Sequence, residues 1–211
     1  MFFRKKVVRA ERFELIDGTG KTRAALGLTS GDAPRLSFFD KDGEARAEMS
    51  MDENGSTTVR FADKGRKLRA VIGVTGDGMP EVGLSDDAAH PRAMLRVDEA
   101  GSSEISLADE DGQTRARLSV GAEGFPHLSL HDEDGRTRAE LVLEQTGSPG
   151  LIFVDKERKT RAALSILPDG SPRLRLFDKN GKLRARMLLG DNGTASLSFF
   201  NEFERRVWSS P

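Results

Sequence analysis

Residues 174–189 read LRLFDKNGKLRARMLL, and this stretch contains the two strands and one turn of a unit that recurs along the chain. Leu174 and Leu176 alternate with other residues, and Ala, Met and Leu occupy every second position of 185–189. A period of two predicts strands with one apolar face. Asn180-Gly181 between the two runs is a strong signal for a hairpin turn. The stretch therefore predicts two short strands joined by a tight turn.

The unit repeats with a period of 23 residues and without net insertion or deletion. An Arg-Ala dipeptide marks each repeat, an Asp stands six residues before the Arg, and a ninth, partial repeat has Asn201 and Val207 in these columns. The Arg column consists of Arg23, Arg46, Arg69, Arg92, Arg115, Arg138, Arg161 and Arg184. The Asp column consists of Asp17, Asp40, Asp63, Asp86, Asp109, Asp132, Asp155 and Asp178.

Four further columns are apolar, and in the eighth repeat they fall on Leu174, Leu176, Met187 and Leu189. The corresponding positions of the other repeats carry Leu, Ile, Val, Met or Phe. A second turn signal follows the second strand, where glycines such as Gly193 recur at the same interval. No apolar period of 3.6 residues is present, so the sequence predicts an elongated all-β tandem repeat of two-strand units.

Two architectures fit this repeat: an antiparallel hairpin meander and a two-sided β-solenoid. Opposed residues of a hairpin share a face, and in a meander both turns must satisfy this condition. Arg66, Ala89 and Arg158 replace the Gly of the first turn in three repeats, which weakens the hairpin interpretation. The hairpin interpretation is nevertheless favoured, and it predicts four opposed pairs: Leu176 with Ala185, Leu174 with Met187, Leu189 with Leu197, and Met187 with Phe199.

The repeat divides the chain into three segments. Residues 1–12 form a basic lead-in that continues into an edge strand expected around Val7 to Ile16, residues 13–196 form eight repeats, and residues 197–211 form a partial ninth repeat and an aromatic cap. A single repeat has too few apolar side chains to fold alone, so its stability must come from its neighbours. In a meander, the apolar face must also be covered, either by curling of the sheet or by another copy of the chain.

The unit resembles MORN repeats in its 23-residue period and in its two strands, over residues 13 to 206. The Tyr and Gly signature of MORN repeats is not matched, because the chain contains no Tyr. The pattern x-Leu-x-Leu-x-Asp-x-x-Gly-x-x-Arg-Ala-x-Leu-x-Val is similar to units of uncharacterised bacterial tandem-repeat proteins. Neither resemblance implies an activity.

Two groups of residues are candidates for function. The Arg column could form a stripe that binds an anionic polymer or a protein partner; in the structural alternative, the Asp binds turn amides and the Arg stem packs across the strand. Three aromatic residues of the C-terminal segment could form an assembly surface instead of a cap: Phe200, Phe203 and Trp208.

Composition argues against several functions. The net charge of −1 does not favour nucleic acid, and the absence of Cys excludes thiolate metal sites. The Asp-x-Asp-Gly loops are similar to fragments of calcium loops but supply too few oxygens, and His127 and His131 are too far apart on a strand to chelate one ion. The expectation is a chain with no catalytic residues, metal or cofactor.

The sequence thus predicts a non-enzymatic structural or scaffolding repeat protein that self-associates as a homo-oligomer. The alternative is a binding module that presents an Arg-lined β-face to an anionic polymer or a protein. No apolar stretch is long enough for a transmembrane segment, and residues 1–13 lack the apolar run of a signal peptide. By elimination, the expected location is the cytoplasm.

Overall fold

A computed structural model describes residues 7–210, which divide between two compact units, Met1–Glu99 and Ala100–Pro211. Six residues of the predicted basic lead-in, including Arg4 to Lys6, lie outside the described residues. All regular secondary structure in residues 7–210 is β-strand, as the period of two predicted.

The N-terminal unit contains eight strands in chain order. They are β1 Arg12–Ile16, β2 Thr22–Leu28, β3 Pro34–Phe39, β4 Ala45–Met51, β5 Thr57–Ala62, β6 Leu68–Val74, β7 Pro80–Ser85 and β8 Pro91–Val97. The C-terminal unit contains ten: β9 Ser103–Ala108, β10 Thr114–Val120, β11 Pro126–His131, β12 Thr137–Leu143, β13 Pro149–Val154, β14 Thr160–Ile166, β15 Pro172–Phe177, β16 Leu183–Leu189, β17 Ala195–Phe200 and β18 Arg206–Ser209.

Within each unit, every strand pairs antiparallel with the strand that follows it in sequence. This confirms the hairpin meander, because the coils of a solenoid would instead stack on equivalent strands of the neighbouring repeats. The predicted edge strand is shorter than expected and begins at Arg12. Arg12 pairs with Gly27, and the next turn already starts at Thr29, so residues 7–10 would lie opposite that turn and not opposite β2.

Both turns of a repeat are the same three-residue hairpin loop. In the first turn, the Asp178 amide donates to the Lys182 carbonyl at 2.9 Å, and the Gly181 amide donates to the Asp178 carbonyl at 3.0 Å. In the second turn, the Gly190 amide donates to Thr194 in the same way, at 2.9 Å. The last loop residue has a left-handed backbone, with φ 79° at Gly181, and Gly adopts this conformation without steric cost.

The second turn corrects two of the predicted pairs. Met187 lies opposite Leu197, and Leu189 lies opposite Ala195, so the partners differ by two positions from the prediction. The reason is that the loop spans residues 191–193, and its centre lies one residue before Gly193. A shift of two preserves the face of each side chain, so the apolar columns still meet one another.

The first turn gives the predicted pairs, but it does so through a β-bulge. Leu176 lies opposite Ala185 and Phe177 lies opposite Leu183, which leaves Arg184 as an extra residue of β16. If Arg184 were paired instead of bulged, Leu176 would oppose Arg184, and the apolar columns of the two strands would lie on different faces. Equivalent bulges occur at every Arg of the column and at Val207.

The bulge explains why the repeat has an odd length. The strand before the first turn has six residues in β15, whereas the strand after it has seven in β16, and two five-residue turns complete the 23. The three repeats without Gly keep the same turn, since Arg66, Ala89 and Arg158 have φ values of 66°, 66° and 63°. These residues adopt a strained backbone rather than a different loop.

Candidate functional surfaces

One face of each unit consists of large apolar side chains that remain about half exposed. The exposed fraction is 48% for Leu118 and 49% for Leu141. In the C-terminal unit this apolar face is formed by Ile105, Leu107, Leu118, Val120, Leu128, Leu130, Leu141, Leu143, Phe153, Leu164, Leu174, Leu176, Met187, Leu189, Phe199 and Trp208. The N-terminal unit has the corresponding residues Phe13, Leu15, Leu26, Leu28, Phe38, Met49, Met51, Phe61, Ile72, Val74, Leu84 and Leu95.

The opposite, polar face contains the most deeply buried residues, and they are small. Ser129 and Ser198 are each 1% exposed, and Ala163 is 3% exposed. Ser198 lies opposite Arg186, and Ser129 lies between Arg117 and Glu140 on the neighbouring strands. Long side chains on both sides cover the small ones with their aliphatic stems. Burial within each unit is therefore inverted relative to hydropathy, because the large apolar side chains stay half exposed while small residues of the polar face are covered.

The Asp column stabilises the first turn through both carboxylate oxygens. Asp132 Oδ1 accepts the amides of Asp134 at 3.1 Å and Arg136 at 2.9 Å, and Oδ2 lies 3.4 Å from Arg138 Nη1. These contacts lower the pKa of Asp132, with the Arg136 amide as the largest cause. The pKa is also lowered for Asp17, Asp40, Asp63, Asp86, Asp155 and Asp178.

All eight arginines of the Arg column form an ion pair with the Asp of their own repeat, at N–O distances between 2.6 and 3.6 Å. Several also donate to the next repeat: Arg138 Nε contacts the Val154 carbonyl at 2.8 Å, and Arg161 Nε contacts the Phe177 carbonyl at 3.1 Å. The same contact joins Arg69 to Ser85, at 3.0 Å. The Arg therefore links consecutive repeats at the end of the sheet where the first turns lie.

The contacts of the Asp and Arg columns bear on two ligands that the sequence suggested, a polyanion and calcium. Each guanidinium of the Arg column faces a carboxylate, so a polyanion would have to compete with an internal partner of the opposite charge. For calcium, the Asp oxygens of loops such as Asp132–Asp134 already accept protein donors. Both observations agree with a structural role for these columns.

The three aromatic candidates of the C-terminal segment lie in different places. Trp208 lies opposite Phe199 on the apolar face, with ring centroids 5.4 Å apart, and is 50% exposed. Phe200 lies on the polar face, where the Arg186 guanidinium carbon is 5.8 Å from its ring centroid. Phe203 lies in the last turn and is 71% exposed. Of the three, Trp208 therefore extends the apolar face.

The histidines make separate contacts. His131 Nε2 lies 3.0 Å from Ser129 Oγ, and His127 Nε2 lies 3.9 Å from Glu140 Oε1. Within residues 7–210, no group of three or more His, Asp or Glu side chains is placed to hold a metal ion. The same part of the chain has no helix that could span a membrane.

A second arginine cluster, which the repeat pattern does not reveal, lies on the polar face of the C-terminal unit. Arg173 and Arg175 lie two residues apart on β15, and Arg175 lies directly opposite Arg186 on β16. The Arg residues are not a recurring column, so the search for periodicity missed them. The sequence feature that could have revealed this cluster is the high local density of Arg in residues 173–186.

Comparison with known proteins gives no family for this chain. No family model matches it, and no curated protein is similar to it. Among solved structures, one chain of the crystal structure of TcdB2-TccC3-Cdc42 is similar, with 9% sequence identity and a TM-score of 0.16. The alignment covers 93% of this chain but only 17% of that much longer chain.

Proposed function

We propose that this chain is a non-enzymatic structural repeat protein that self-associates through its apolar face. The observation that carries the proposal is the exposure of that face, where side chains such as Leu118, Leu141 and Met187 are about half accessible in each single chain. Monomers rarely expose contiguous apolar patches of more than a few hundred Å². Here the patch extends over every strand of the C-terminal unit.

A second copy of the chain is the occupant that fits this face best. The side chains lie in rows that repeat with the strand spacing of a β-sheet, about 4.8 Å. An identical sheet has the same row spacing, so many rows can interdigitate at once when two faces pack about 10 Å apart. A contact between identical faces related by a two-fold axis is also closed, which limits further growth.

A structural role is supported by what the recurring polar residues do. Asp132 holds the turn amides, and Arg138 joins its own turn to the next repeat. Both columns are thereby occupied by folding contacts, which leaves few recurrent groups for chemistry. The alternative function, binding of an anionic polymer by the Arg column, gains no support from geometry in which each Arg already has a carboxylate within 3.6 Å.

The proposal is tested by measuring the solution mass with light scattering, using two matched double variants. Leu118→Lys with Leu141→Lys places two charges on the apolar face of β10 and β12. Ser119→Lys with Val142→Lys places the same two charges one residue further on, and therefore on the polar face.

We expect the unmodified chain to have a multiple of its 23.1 kDa mass. The first double variant should fall toward 23.1 kDa, whereas the second should keep the mass of the parent, because only the apolar face is buried between copies. A parent that stays at 23.1 kDa at all concentrations would overturn the proposal. Equal dissociation of both variants would overturn it as well.

A further inference from the structure

Three arginines on the polar face of the C-terminal unit lack acidic partners. No Asp or Glu oxygen within residues 7–210 lies within 4.0 Å of a side-chain nitrogen of Arg173, Arg175 or Arg186. Elsewhere on the same face, arginines do have such partners, as in the pair of Arg117 and Glu104 at 3.2 Å. The cluster thus departs from the charge pairing of its surroundings.

The three arginines lie on two adjacent strands, and their side chains contact different neighbours. Arg175 and Arg186 are directly opposed across β15 and β16, and like charges in opposed positions destabilise a sheet. The Nε atoms of Arg173, Arg175 and Arg186 are all buried without a hydrogen-bond partner. A neighbouring serine gives only a weak contact, since Arg173 Nη2 lies 3.4 Å from Ser165 Oγ.

Aromatic rings hold two of the side chains in place. The guanidinium carbon of Arg175 lies 5.5 Å from the ring centroid of Phe177, and that of Arg186 lies 5.8 Å from the ring centroid of Phe200. Such contacts orient a guanidinium and leave its edge free to donate hydrogen bonds. The pKa of Arg175 is lowered, chiefly by burial and then by Arg173, while Glu144 acts in the opposite direction.

We infer that Arg173, Arg175 and Arg186 form a binding site for a multivalent oxyanion of the phosphate class. Guanidinium groups bind phosphate oxygens in a bidentate manner, and three of them match an anion with several negative charges better than they match a single carboxylate. The anion would supply the negative partner that the three arginines lack. This site lies on the face opposite to the proposed self-association surface, so either proposal can fail without the other.

Isothermal titration calorimetry at low ionic strength, in a buffer without other multivalent anions, tests the site with sodium pyrophosphate. The informative variant is Arg175→Gln with Arg186→Gln, and the matched control is Arg117→Gln, which removes an arginine with a carboxylate partner from the same face. We expect the parent to bind pyrophosphate, the double variant to bind at least about tenfold more weakly, and the control to differ by less than about twofold.

Two measurements need no variant. Pyrophosphate should raise the Tm of the parent, and sodium acetate at equal ionic strength should not, because a single carboxylate leaves most of the charge uncompensated. Titration with long-chain polyphosphate tests whether the phosphate groups belong to a polymer. Binding that is tighter per phosphate group than the binding of pyrophosphate indicates a phosphate polymer as the ligand of this site. Absence of pyrophosphate binding together with absence of polyphosphate binding, or equal weakening by the control substitution, would overturn the inference.

Discussion

Individual residues of the first turn carry a conformational cost that varies between repeats. Most repeats have Gly at the left-handed position, but Arg158 occupies it with φ 63°. A residue with a Cβ loses about 1 kcal/mol or more in this conformation relative to Gly. The strain does not change the loop, because the surrounding strand pairs and the Asp contacts hold it.

The first prediction follows from this strain. Arg158→Gly should raise the free energy of unfolding by about 1 kcal/mol, measured by urea denaturation. Gly112→Ala is the reciprocal control, because Gly112 has φ 77° and no atom lies within 4 Å of the added Cβ. This substitution should lower the free energy of unfolding by about as much as Arg158→Gly raises it. If both substitutions shift stability in the same direction, backbone strain is not the cause.

The Asp column predicts a dependence of stability on pH. The folded-state pKa of Asp132 and Asp155 is lowered by backbone amides first, whereas an unfolded Asp has a pKa of about 3.9. Their contribution is therefore present above about pH 4 and is lost as the pH falls through that value toward the folded-state pKa. The urea midpoint should decrease over this range.

Asn201 occupies the Asp column in the partial ninth repeat, and it suggests a variant that tests whether the Asp carboxylates cause the pH dependence of stability. Its Oδ1 accepts the amides of Phe203 and Arg205, both at 3.0 Å, so Asn can hold the same turn without a charge. Asp132→Asn should keep the fold and reduce the change in urea midpoint between pH 7 and pH 3. An unchanged difference between these two pH values would locate the dependence in other carboxylates.

At the scale of the strand, the bulge decides which face each apolar column occupies. The bulged Arg138 also joins three elements, since it contacts Asp132 in its own turn and the Val154 carbonyl in the next repeat. The residue thus has two roles that can be separated: its backbone is the extra residue of the bulge, and its side chain links repeats.

The third prediction separates these roles. Arg138→Ala retains the extra residue and should cost on the order of 1 kcal/mol, because it removes only half-exposed polar contacts. Deletion of Arg138 removes the bulge but leaves Thr137 opposite His131 and Leu141 opposite Leu128, so the apolar residues keep their face and the deletion should cost about as much as the substitution. Thermal unfolding followed by circular dichroism compares the two variants. A deletion that costs several times more than the substitution would mean that the bulge itself stabilises the sheet, apart from the side-chain contacts of Arg138.

At the scale of the whole molecule, the exposed apolar face links stability to association. If copies bury this face against one another, the Tm should rise with protein concentration and with added ammonium sulfate, which strengthens apolar burial. The variant Leu118→Lys with Leu141→Lys should lose the concentration dependence. A Tm that is independent of concentration in the parent, measured by differential scanning fluorimetry, would contradict self-association.

Much of the architecture could be predicted from single residues. The turn chemistry of Asp178 and Gly181 and the alternation of Leu174 and Leu176 are local signals, and they predicted strands, hairpins and the first-turn pairing. The second-turn pairing was wrong by two positions, because Gly193 is the last residue of the loop and not its centre. The alternation could not locate the centre of the loop, since a shift of the pairing by two positions places the same columns on the same face.

The sequence by itself determined the period, the strands, the two turns and the apolar face, because each depends on residues close together in the chain. Only the tertiary structure decided the rest. It placed Arg184 in a bulge beside Asp178, and it brought Arg175 and Arg186 together across two strands. The physical reason is that bulges and cross-strand neighbours depend on register, and register is set by the pairing of whole strands rather than by the preference of any single residue.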